Sequence, residues 1–272
     1  NEMNEFPLLL ISFIIYILVM LSGFASSFGS KAKWSRISYS LALAGFIVQS
    51  AGLLVRTIAS GHAPFTNMYE SINFLSWSCV LVIIIFQRKF RLEKAWPYLW
   101  LLIVALMALV SSPLLPKNVT PLVPALQSYW LWLHVSVTLL GEAFLAVAFV
   151  ASILYLAAGR SSAGNSEAKK KQENYDLIAY RAVAAGFPLF TLGALVFGMI
   201  WASQAWGRYW SWDPKEVWSL ITWLFYALYL HTRLVMGWKG KRSALIAIIG
   251  FLAALFTFFG VNYLLSGLHS YV

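Results

Sequence analysis

The sequence predicts an all-α, polytopic transmembrane bundle of about eight spans, with both termini on the outer side. Composition is the first reason. The 272 residues are 60% hydrophobic and only 11% charged, against roughly 25% charged in soluble domains. The second is the apolar runs. A span needs ~20 apolar residues, and eight such runs lie at about 6–27, 37–55, 71–87, 97–112, 131–157, 182–203, 217–236 and 243–265. The third is where the bases fall. Sixteen of the twenty Lys and Arg sit in alternate connections: Lys31, Lys33 and Arg36; Arg88, Lys89, Arg91 and Lys94; Arg160, Lys169, Lys170, Lys171 and Arg181; Arg233, Lys239, Lys241 and Arg242. The intervening connections hold only Arg56, Lys117, Arg208 and Lys215. Basic loops stay cytoplasmic, so connections 56–70, 113–130 and 204–216 belong outside. An even number of spans returns the chain to its starting side.

Taken in order, the first run opens at "NEMNEFPLLL". It lacks both an initiator Met and a basic n-region, so it reads as a first span and not as a cleaved signal peptide. The third run holds the single cysteine, Cys79, which forms no internal disulfide and belongs to no CxxC. Segment 159–175, within "GRSSAGNSEAKKKQEN", is a solvated cytoplasmic linker, with a surface helix as its continuation through "YDLIAYRAV". The rest is one integral-membrane domain over 1–272. The net charge of +10 follows from the basic loops and does not call for nucleic acid.

The four histidines lie away from the basic loops. His62 falls in the outer loop "SGHAPFTNMYES", His134 at the outer mouth of the fifth run and His269 just past the eighth. His231 falls fourteen residues into the seventh run, toward its cytoplasmic end. Each has a plain reading as a hydrogen-bonded structural residue. The competing reading is a metal or haem-iron ligand, which neutral imidazole commonly is. No pair has the HExxH spacing of a zinc site. An ionisable group inside a span tends to face the bundle interior or a cavity. A bis-histidine site at the depth of His231 needs a ligand from another polypeptide.

Between the sixth and seventh runs stands "WGRYWSWDPKEVW". Trp201, Trp206, Trp210, Trp212, Trp218 and Trp223 place six of the thirteen tryptophans within 23 residues. One reading is an interfacial aromatic belt, although a belt spreads over many helix ends. The other is a slot for a large planar ligand, with indole N–H groups and Arg208 at its polar rim. Asp213-Pro214 predicts a helix start, with Asp213 as N-cap and Glu216 at the third position. Arg56 and Arg208 are suited to carboxylates such as propionates, or to snorkelling toward headgroups. Glu142 follows His134 by about two turns.

The segment "WGRYWSWDPKEVWSLITW" resembles the WWD signature of the haem-handling proteins that mature c-type cytochromes. "SGHAPFTNMYES" and "VNYLLSGLHSY" are similar to the CcsA/ResC branch, the membrane partner of CcsB/ResB in System II. The resemblance covers nearly the whole chain. It implies an outer haem-binding segment at 204–218, drawing on Trp201, Trp206, Arg208, Tyr209, Trp210, Trp212, Asp213 and Trp218. His134 and His269 are implied as axial ligands of the haem iron and as the residues that carry the synthase activity. It also implies that His231 is one ligand of an in-membrane site shared with a CcsB/ResB-type subunit. No ligand role carries over to His62. The implied function is delivery of non-covalent haem b across the bilayer. Haem is then presented for covalent attachment to the CxxCH of an apocytochrome c, a holocytochrome c synthase (thioether-forming lyase) activity. Transport without ligation is the alternative. Bacterial plasma membrane and thylakoid membrane both fit.

Overall fold

A computed structural model describes residues 4–26, 31–90, 92, 95–119, 122–159 and 166–265. Among these residues the regular structure is helical throughout, in eight consecutive rods that coincide with the eight apolar runs. They are α1 (Phe6–Ala25), α2 (Lys31–Ser60), α3 (Met68–Phe90), α4 (Trp96–Ser111), α5 (Tyr129–Gly159), the pair α6 (Ser166–Phe190) and α7 (Gly198–Trp206), α8 (Pro214–Leu234), and the pair α9 (Lys241–Leu255) and α10 (Val261–Leu264). Six rods are long and apolar enough to cross a membrane; α4 is apolar but shorter, and α8 is not among the six. The chain is a polytopic helical membrane protein. Its internal contacts divide it into two compact units, 1–122 and 123–272. The latter half of the anticipated linker 159–175 is already helical, because α6 begins at Ser166.

The first unit packs α1 to α4 around a polar centre. Tyr16 donates to Gln49 Oε1 at 2.7 Å, and Gln49 Nε2 donates to Asn73 Oδ1 at 3.0 Å and Ser76 Oγ at 2.7 Å. In a lipid setting such groups find partners on neighbouring helices because the bilayer core offers none. At one end of this unit the buried Arg56 donates to Glu70 at 2.9 Å and Glu5 at 3.2 Å. Arg56 therefore neither snorkels nor waits for an external carboxylate. His62 is also buried, with Nδ1 3.0 Å from the Ala63 carbonyl, so it serves the loop.

The second unit carries the chemistry. Its rods alternate in direction, as the paired residues show. His134 meets Gly193 near one end of α5 while Tyr155 meets Gln172 near the other. Lys215 likewise meets Asn262 while Tyr226 meets Ala247. Glycines permit the closest approach: a Cβ on Gly141 would lie 2.7 Å from the Phe190 amide nitrogen, and one on Gly186 2.7 Å from the Phe144 Cβ. Small residues at such crossings let helix backbones touch.

Two rods are interrupted by π-helical turns, Thr191–Phe197 and Phe256–Gly260. The first follows Pro188, which lies inside α6 and removes one N–H from its hydrogen-bond ladder. The start of α8 lies between the two turns. Trp223 Nε1 donates to Thr191 Oγ1 at 2.9 Å, while Trp218 packs on Phe256 with ring centroids 4.3 Å apart.

Candidate functional site

The WWD segment is built from a helix end, a short loop and a helix start. α7 stops at Trp206 because Gly207 takes a left-handed conformation (φ 75°) and returns its N–H to the Ser203 carbonyl, as a glycine C-cap does. α8 starts as anticipated. Asp213 accepts from the Lys215 amide at 3.1 Å, Pro214 opens the helix, and Glu216 reaches back to the amides of Asp213 (3.2 Å) and Ser211 (2.8 Å). This is a capping box. Asp213 is buried.

Between these fixed ends the side chains divide by exposure. Arg208, Tyr209 and Trp212 are exposed, Tyr209 at 63% and Trp212 at 70%. Trp210 is half-buried and meets Trp212 edge-on at 5.7 Å. Trp212 holds φ at 59°, a conformation that costs a non-glycine residue of order 1–3 kcal/mol. Trp201, by contrast, is 1% exposed and donates from Nε1 to the Ala125 carbonyl at 2.9 Å. Trp206 stands edge-on against it at 5.9 Å, and Trp218 is half-buried against the second π-turn. Tyr209, Trp210, Trp212 and Arg208 thus form the outward surface, while Trp201, Trp206, Trp218 and Asp213 support it.

His134 joins this support. Its ring lies parallel to Trp201, 5.8 Å between centroids and 4° between planes. Its Nδ1 is 2.8 Å from the Gly193 carbonyl. A carbonyl only accepts, so Nδ1 carries a proton; in the neutral ring Nε2 is then the lone-pair nitrogen. Among the described residues no group of three or more His, Cys, Asp or Glu is arranged to hold a metal ion. One imidazole poised this way does match the donor set of a haem iron. His269 lies outside the described residues.

His231 is elsewhere. It occupies the last turn of α8, about 27 Å from Asp213 at 1.5 Å per residue. It is exposed, on the same stripe as the exposed Leu224, Leu228 and Val235. Burial in this chain's own interior, the commoner fate of an ionisable group in a span, is not what it shows. Nearby, Arg233 makes a two-pronged pair with Asp176 (2.9 and 2.7 Å), which also accepts from the Gly240 amide.

Gly193, Gly198 and Asn262 are participants that the sequence did not single out, while Glu142 stood out there only by its spacing from His134. Gly193 and Gly198 sit five residues apart in an apolar run, the only visible trace of the π-turn. Asn262, a lone amide in the last rod, accepts from Lys215 Nζ at 3.0 Å and donates to the Phe258 carbonyl at 2.8 Å. Glu142 is buried and interacts electrostatically with Lys215.

Comparison with known proteins agrees with this architecture. Residues 65–269 match the family described as cytochrome C assembly protein. The chain is 45% identical to the cytochrome c biogenesis protein CcsA of Chlamydomonas reinhardtii, over 80% of this chain and 64% of that protein. It is 37% identical to CcsA of Synechococcus sp. (strain CC9605), over 95% of this chain and 93% of the relative. Against CcsA of Prochlorococcus marinus (strain NATL2A) it is 36% identical, covering 99% and 97%. Among solved structures, cytochrome c heme lyase CcmF shares the fold, with a TM-score of 0.61 at 19% identity over 95% of this chain and 47% of CcmF. The chain therefore belongs to the cytochrome c assembly protein family, among its CcsA members, and acts in cytochrome c biogenesis.

Proposed function

We propose that this chain binds haem b non-covalently at the WWD segment and presents it to an apocytochrome c, whose CxxCH thiols become joined to it. The observation that carries this reading is His134. Its imidazole is held with Nδ1 donating to the Gly193 carbonyl and its ring stacked on the tryptophan that supports the WWD segment, so that in the neutral ring Nε2 is the nitrogen for a metal. In this reading His134 and His269 would hold the haem iron. Tyr209, Trp210 and Trp212 supply aromatic faces for a planar ring, and the exposed Arg208 supplies a cation for a carboxylate. When bound, haem supplies the vinyl groups to which the thiols add. The chain's residues hold that edge in place. Catalysis then rests on positioning, as a holocytochrome c synthase subunit.

The exposed His231 supports a second part of the proposal. An imidazole on an otherwise apolar, exposed stripe is costly in lipid. A CcsB/ResB-type subunit packed on α8 would cover it and add the other ligand of an in-membrane site. Haem would then pass from the cytoplasmic side toward the WWD segment, which lies on the outer face of a plasma or thylakoid membrane. The positive-inside distribution of the bases favours that orientation and eight spans.

Co-expression with the partner and an apocytochrome tests the ligation step. His134→Ala is expected to abolish covalent c-type haem while His62→Ala leaves it intact. Full covalent attachment in His134→Ala would reduce the chain to a haem carrier without synthase activity.

A further inference from the structure

We propose that the π-helical turn Thr191–Phe197 is the positioning device for His134, fixing which ring nitrogen faces a ligand; this rests on the functional reading above. In an α-helix each interior carbonyl accepts one amide in line with the axis, which turns it away from neighbouring helices. In the π-turn the Gly193 carbonyl accepts from the Gly198 amide, five residues on, and also from His134 Nδ1 at 2.8 Å. The wider turn thus presents a backbone acceptor sideways to α5. π-turns of this kind recur at functional sites.

Gly193 has no room for a side chain, and Gly198 is packed tightly against the imidazole. A Cβ on Gly193 would overlap the Thr138 amide nitrogen, so any side chain there forces α5 and the π-turn apart. A Cβ on Gly198 would lie 3.1 Å from both Cε1 and Nδ1 of His134, pushing the imidazole itself. Trp201, three residues beyond Gly198, closes the ring plane from its own face. Backbone acceptor, two glycines and indole therefore converge on one imidazole from the single stretch 193–201. Ligating histidines are commonly oriented this way through their other ring nitrogen, and loss of that partner costs about 10–100-fold in affinity. Gly193, Gly198 and Trp201 are positioning residues, since each acts through His134.

The test uses the full-length chain with ring-15N histidine, first without haem, assigning His134 by the signals missing in His134→Ala. The expected result is a protonated Nδ1 and an unprotonated Nε2. A proton on Nε2, or an imidazolium, overturns the proposal and needs no variant to do so. Ferric haem b is then titrated into wild type, Gly198→Ala and Gly193→Ala, with far-UV circular dichroism to verify folding. About a ten-fold or greater loss of affinity, together with loss of the fixed tautomer, supports the device. A folded Gly198→Ala chain with wild-type affinity and tautomer overturns it. Should wild type show the tautomer and take up no haem, the tautomer assignment stands while the proposed function falls, so the two failures are distinct.

Discussion

Trp212 holds a left-handed backbone conformation with its ring 70% exposed, two features that burial does not repay. The conformation costs of order 1–3 kcal/mol, and the exposed indole recovers little by packing. Substitution by glycine separates backbone from ring. Trp212→Gly is expected to leave the thermal midpoint unchanged or raise it, by roughly 1 kcal/mol of relieved strain. It is also expected to weaken haem binding, measured by titration of the purified chain. His134 was legible as a candidate because it lies at the mouth of a span, near the tryptophan cluster in topology. Its hydrogen bond was not, because the acceptor is a backbone carbonyl 59 residues away and any residue has a carbonyl. His231 shows the opposite limit. Its depth could be read from its place in the run, but its exposed face depends on how α8 is rotated in the bundle.

At the scale of elements, α8 begins where Asp-Pro-Lys-Glu said it would, since N-cap chemistry is local and depends on four consecutive residues. Asp213 makes its contribution through that cap. Asp213→Ala is therefore expected to destabilise the chain by about 1 kcal/mol, with Asp213→Asn nearly neutral. Thermal melts of the two variants check this. A large fall in haem binding with Asp213→Asn would instead mark the carboxylate as a direct contact. The two π-turns were invisible in the sequence. Runs such as "TLGALVF" satisfy α and π registers equally, and only the placement of neighbouring helices selects the wider turn. Where α5 and α6 cross, Gly186 has no room for a side chain. Gly186→Leu is expected to cost about 1–3 kcal/mol by overpacking, seen as a lower midpoint.

Across the whole molecule, hydropathy and loop charge set the rods because lipid imposes both constraints on every span. That is why all eight apolar runs reappear as helical rods. The proposed sidedness rests on the same charges and is directly measurable. With Cys79 buried, an impermeant thiol reagent is expected to label Tyr209→Cys from outside intact cells. Lys170→Cys should react only after permeabilisation. Reversed labelling would invert the orientation and put the WWD segment in the cytoplasm.

The central claim is that His134 ligates haem iron at the WWD segment. The absorption spectrum of the chain purified with a CcsB/ResB-type partner, compared between wild type and His134→Ala, tests it most directly. The account predicts a six-coordinate, low-spin Soret band whose WWD component disappears in His134→Ala, while any component due to the His231 site persists. A spectrum and haem content unchanged by His134→Ala would contradict it.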